Sequence, residues 1–121
     1  SFLLFNRTSA ELVVQRASGV LYQEKENDKI SNLYNYQIIN KTSHQISNIE
    51  LRLKEKFGEI EQVGIINDVE MQEAAKGSFF VIIPGDQLSG NKNKITVELY
   101  IEGELIDQVT TNFLGPINQI K

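Results

Sequence analysis

The sequence contains no cysteine and no tryptophan, and only one histidine (His44) and one methionine (Met71) in 121 residues. Without cysteine there can be no disulfide, no thiolate nucleophile and no cysteine-based metal site, although the redox compartment stays open. A lone histidine falls short of the three protein ligands that structural or catalytic metal centres need, and Met71 alone makes no soft copper site. Positive charge is also scarce. Twelve Lys and Arg stand against sixteen Asp and Glu, for a formal charge of −4, and they form no basic stripe. That balance argues against nucleic acid as a partner. No apolar run approaches the ~20 residues of a membrane helix. The short Phe2-Leu3-Leu4-Phe5 stretch reads as an N-terminal edge strand or as the last turn of an upstream membrane helix.

What is present is ordinary globular material, 40% hydrophobic and 23% charged, at single-domain length. One domain over residues 1–121 is expected, with residues 1–6 as the segment open to the membrane-helix reading. The patterning has period 2. Ile95, Val97, Leu99 and Ile101 fall on one face of a strand over 94–102, with Thr96, Glu98, Tyr100 and Glu102 on the other. A turn at Glu102-Gly103-Glu104 leads into a second strand over 105–114, which makes an antiparallel hairpin. Tyr34, Tyr36 and Ile38 share the core face of a strand over 31–41, their hydroxyls expected to reach partners at the edge of the core. Asn32 and Asn40 bracket it, and local turns are expected to use their side chains. A strand over 46–54 follows through the polar 41–45 turn and is expected to pair with it. Further strands are expected over 12–16, 19–22, 59–66 and 78–83, with a weaker one over 68–72. Pro84 stops the last strong strand because proline donates no ladder hydrogen bond. A marginal helical turn is the competing reading of 69–76, and 23–29 and 86–93 read as loops. Seven to nine short strands at this spacing predict an all-β fold, an immunoglobulin-like antiparallel β-sandwich.

Candidate chemistry is sparse. His44 lies in a polar turn and reads as an exposed loop residue. Glu24, Glu26 and Asp28 cluster, but Lys25 and Lys29 break the alternating oxygen ligands of a calcium loop, so a solvated charged loop is the reading. There is no Gly-x-Ser-x-Gly elbow. Gly77-Ser78-Phe79 and Leu88-Ser89-Gly90 are turn chemistry rather than phosphate loops. Asn6-Arg7-Thr8 and Asn40-Lys41-Thr42 match the short glycosylation sequon. No catalytic, cofactor-binding or metal-binding residue is assigned, and the chain is expected not to be an enzyme.

Arg16, Leu21-Tyr22, Ile30-Ser31-Asn32-Leu33-Tyr34, Ile39-Asn40-Lys41 and Thr111-Asn112-Phe113-Leu114-Gly115-Pro116 together resemble the C-terminal domain of FixG/CcoG-type proteins. The match runs from about Leu12 to Pro116. It departs from the family pattern at Asp28-Lys29, where an acidic-Gly turn falls in the family, and lacks the charged pair seen with Arg16. These proteins are membrane-bound polyferredoxins that assist assembly of cbb-type cytochrome c oxidase. The resemblance implies an immunoglobulin-like domain after the last membrane helix, on the periplasmic side of the inner membrane. It also implies a parent that carries iron–sulfur clusters upstream, with no cofactor in this chain. The expected partner is a protein, an oxidase subunit or assembly factor, held in a chaperone-like way and without a small-molecule substrate. A structural spacer without specific contacts is the alternative.

Overall fold

The computed structural model describes residues 9–17 and 22–115. Eight strands are found among them: β1 (Ala10–Arg16), β2 (Gln23–Lys25), β3 (Lys29–Asn40), β4 (Ile49–Leu53), β5 (Glu59–Val63), β6 (Ala74–Pro84), β7 (Lys92–Ile101) and β8 (Glu104–Leu114). They form two antiparallel sheets. The first has the order β1-β3-β6-β5, with β2 pairing the start of β3, and the second has the order β4-β7-β8. This is the expected immunoglobulin-like sandwich.

β3 is the spine of the first sheet. Asn32, Tyr34, Tyr36, Ile38 and Asn40 all turn inward and are buried, as alternation along a pleated strand requires. Tyr34 and Tyr36 both stack against Phe79 of β6, with centroids 5.5 and 6.0 Å apart. Tyr36 lies across its β6 partner Gly77, where a Cβ would come within 2.5 Å of the tyrosine oxygen, so only glycine lets the ring pass. From the second sheet, Ile95, Val97, Leu99, Ile101 and Phe113 meet this layer as the other half of the core. Full burial of a side chain of this size contributes about 1.5–3 kcal/mol.

The β7–β8 hairpin closes through Glu102 and Gly103, at φ 53° and 80°. Two left-handed residues in succession give the turn whose twist matches the strands. Further along, Leu99 pairs with Asp107 while Tyr100 pairs with Leu105, so Ile106 is an extra residue in β8. This bulge buries Ile106 and Asp107 side by side.

Several sequence expectations are corrected. β3 and β4 do not pair, because β1 and β6 already occupy both edges of β3 over its second half. The chain instead crosses to the second sheet, where β4 pairs with β7. Asn40 organises that crossing. Its amide donates to the carbonyls of His44 (2.8 Å), Val69 (3.0 Å) and Glu70 (3.1 Å), and its Oδ1 accepts the Thr42 N–H. Neither a helix over 69–76 nor a strand over 68–72 forms. Val69 makes only an isolated bridge to Ile46, Met71 and Gln72 turn, and β6 starts at Ala74, since so short a helix has too few internal bonds to resist strand pairing. The expected loop over 23–29 contains β2, a 3-10 turn at Glu26–Asp28 and the first residue of β3. The strands expected over 46–54 and 59–66 shorten to β4 and β5. The expectations for Phe2–Phe5 and residues 19–21 lie outside the described residues.

Candidate protein-binding edge

A strand at the border of a sheet leaves alternate N–H and C=O groups unpaired. On one flank of this sandwich, where β1 and β8 adjoin, several of those groups are taken up by side chains. Ala17 N–H donates to the Leu33 carbonyl, which sets the phase of β1 and turns the N–H of Leu12 outward. That N–H donates to Oδ2 of Asp107 at 3.0 Å. Asp107 Oδ1 accepts the Gln108 N–H at 2.8 Å, so both oxygens of the buried carboxylate serve backbone donors. On β8, the Leu114 N–H donates to Asn32 Oδ1 (2.8 Å) and Asn32 Nδ2 donates back to the Leu114 carbonyl (2.9 Å). The side-chain amide of Asn32 thus stands in for a neighbouring strand. Two residues on, the Tyr34 hydroxyl donates to the Asn112 carbonyl at 2.6 Å. Burial pushes the Tyr34 phenol well above its ordinary value, against the opposing charge of Arg16.

The opposite flank differs. Asn40 N–H donates to the Glu73 carbonyl, which fixes the even-numbered residues of β3 as those whose backbone faces β6. Carried through the registers of β6 and β5, this alternation points the N–H and C=O of Ile60 and Gln62 away from β6, into solvent. Among the described residues no group hydrogen-bonds them. The Gln62 side chain points inward, donating to the Tyr36 hydroxyl oxygen and the Ser78 carbonyl, both at 3.3 Å. Tyr36 is raised above its ordinary value by burial, with that hydrogen bond working against the shift.

Around this open edge the surface is apolar and acidic. Among the described residues the exposed large hydrophobic side chains are Phe57 (43%), Val63 (51%) and Ile65 (81%), on or next to β5 in the chain, and Met71 (55%), in the turn before β6. Ile65, Asp68, Glu70 and Glu73 line an open depression below the end of β5, against the β6 residues Ala74 to Lys76. Glu59 and Glu61 share a second depression, on the outer face, with Glu24, Glu26 and Lys29. β4 also leaves its outer edge open on this flank. Its outward side chains carry mixed charge, with Arg52 paired to Glu50 at 3.0 Å, lying 4.0 Å over the Tyr100 ring.

The residues weighed for chemistry are dispersed. His44 is exposed, and its carbonyl rather than its ring is used, accepting from Asn40 and Thr42. Met71 is exposed in the turn before β6. Among the described residues no three His, Asp or Glu side chains gather to hold a metal ion. The sequon residue Asn40 is buried with its amide fully engaged, so a glycan there would displace three hydrogen bonds. Asn6 lies outside the described residues. Sequence reasoning missed Asp107, whose only signal is the Leu105-Ile106 break in the alternation of β8. It also missed the open edge of β5.

A family model described as "IG-like fold at C-terminal of FixG, putative oxidoreductase" matches residues 1–116. The chain belongs to this family. The crystal structure of a FixG-related protein from Vibrio parahaemolyticus superposes with a TM-score of 0.68 at 20% identity, over 88% of this chain and 95% of that one, and so shares the fold. The GAE domain of GGA2p from Saccharomyces cerevisiae, at 14% identity over 95% and 96% of the two chains, reaches a TM-score of only 0.33 and supports no inference. No curated protein matches. In this FixG C-terminal domain, two of the runs that carry the family resemblance meet in space. Asn32 and Tyr34 of the Ile-Ser-Asn-Leu-Tyr run bond to Asn112 and Leu114 of the Thr-Asn-Phe-Leu-Gly-Pro run, which makes the motif a framework device that closes one flank.

Proposed function

We propose that this domain is a noncatalytic, chaperone-like binding module of a membrane-bound accessory protein for cbb-type cytochrome c oxidase assembly. It holds an oxidase subunit or assembly factor on the periplasmic side of the inner membrane. The iron–sulfur clusters of the parent lie outside this chain. The observation that carries the reading is the asymmetry of the sandwich, with backbone groups on one flank taken up by Asp107, Asn32 and Tyr34 and the other flank presenting the unpaired backbone of β5. An antiparallel sandwich offers such an edge to an extended segment of another protein, which pairs with it as an added strand. The separation of His44 and Met71, and the lack among the described residues of any three His, Asp or Glu side chains placed to hold a metal ion, support a role in holding rather than in transforming.

Affinity capture tests this reading. The membrane-anchored parent is expected to recover an oxidase subunit or assembly factor that is lost when residues 1–121 are deleted. Identical partner sets with and without the domain overturn the proposal. A spacer role predicts instead that an unrelated sandwich of equal size restores assembly in full.

A further inference from the structure

Residues 57–75 contain Glu59, Glu61, Asp68, Glu70 and Glu73 and no Lys or Arg. The chain has sixteen acidic and twelve basic residues, so without these five acids eleven remain against twelve. The whole net negative charge therefore resides in this one segment. The same segment holds all four large hydrophobic side chains that are exposed among the described residues, and the strand whose backbone points into solvent. Along β5 itself Glu59, Glu61 and Val63 are exposed while Ile60 and Gln62 are half-buried. Among the described residues no lysine or arginine lies within ion-pairing distance of these five acids; the Glu70 carboxylate accepts from the Gln45 amide, at 2.8 Å.

We infer that β5 takes up an extended segment of a partner protein in which lysine or arginine alternates with apolar residues, added antiparallel or parallel along the open edge. This rests on the proposed binding role and names the chemistry of its occupant. The partner backbone pairs with the N–H and C=O of Ile60 and Gln62. Its cationic side chains lie beside Glu59 and Glu61 on the outer face, and its apolar ones fall on the inner face, beside Ile60. Opposite charges across a strand pair attract and like charges directly opposite repel, so the edge selects by sign. The same rule excludes a second copy of this chain. Antiparallel pairing of two β5 strands about their centre sets Glu61 against Glu61, a use of edge charge that keeps like strands apart.

The test uses the 121-residue chain and two peptides the length of β5, one alternating lysine with valine and one alternating glutamate with valine. Calorimetry is expected to show binding of the lysine peptide alone, weakening as salt is raised. Amide shifts on binding are expected at Ile60 and Gln62. Glu59→Lys combined with Glu61→Lys is expected to weaken the lysine peptide by about tenfold or more and to confer binding of the glutamate peptide. Gln62→Pro removes an outward N–H without touching the β5–β6 ladder, and is expected to abolish binding that Gln62→Ala retains.

Three results overturn the inference: equal binding of both peptides, shifts confined to β1, β4 or β8, or self-association of the chain that Gln62→Pro abolishes. If any of these occurs while deletion of the domain still strips the parent of its partner, the charge assignment fails and the binding role stands. If deletion leaves the partner set unchanged, it is the binding role that fails.

Discussion

Asn32→Asp changes almost no volume and reverses one hydrogen bond. In the native protein Nδ2 donates to the Leu114 carbonyl at 2.9 Å while Oδ1 accepts the Leu114 N–H at 2.8 Å, and Asn32 is almost wholly buried. The substitution keeps the acceptor and places a carboxylate oxygen against the Leu114 carbonyl. Losing one buried hydrogen bond costs about 1 kcal/mol and leaving the carbonyl unsatisfied about 1–3 kcal/mol more, with burial of the charge added. The expected total is about 3 kcal/mol at pH 7, a large part of the ~5–15 kcal/mol that holds a domain of this size together. In thermal unfolding this corresponds to a fall in Tm of roughly 12 °C.

The sign of the pH dependence follows. Burial and the facing carbonyl disfavour the charged form, so the introduced carboxyl titrates higher in the folded than in the unfolded state. Its protonated form can donate to Leu114, so the penalty is relieved at low pH and returns as pH rises through the folded-state pKa. Urea unfolding of native and variant protein from pH 4 to 8, followed by circular dichroism, measures the difference at each pH. A cost below about 0.5 kcal/mol at pH 7, or one independent of pH, refutes the assignment of Asn32 as a surrogate strand for β8.

Two further perturbations probe the same flank. Tyr34→Phe removes the 2.6 Å bond to Asn112 and is expected to cost about 1–2 kcal/mol at pH 8. Because burial raises the Tyr34 phenol, its stabilisation is intact below the ordinary tyrosine pKa of about 10 and is lost as pH climbs above it. The variant should therefore lose stability less steeply than the native protein above pH ~10 in urea titrations, and equal slopes exclude this role. Asp107→Asn turns one acceptor of two backbone N–H groups into a donor, and is expected to cost about 1–3 kcal/mol and to speed amide exchange at Leu12. Unchanged exchange there shows that the β1 edge is held by other means.

Local periodicity made much of this protein legible. Ile95 to Ile101 and Tyr34 to Ile38 read as core faces because strand geometry alone sends alternate side chains to opposite sides, and every one of them is buried. Pro84 ended β6 for a reason internal to proline. The framework residues that identify the family were also readable as a pattern, though their purpose was not. Local turns were the expected use of Asn32, yet its partner lies 82 residues away. Asn40 met the expectation of a local turn at Thr42 and also fastened Val69 and Glu70.

Strand partners were decided elsewhere. The 41–45 turn has the composition of a hairpin loop, but pairing is a competition for edges, and β1 and β6 had filled both edges of β3. The same competition leaves β5 open, because β6 is its one neighbour in the sheet and the chain turns away at Gly64. The linear sequence therefore determined which residues form strands and which face each buries, since those follow from one residue and its nearest neighbours. Only the assembled sandwich decided which backbone groups are satisfied and which remain free to meet another protein, because hydrogen bonds between strands depend on segments far apart in the chain.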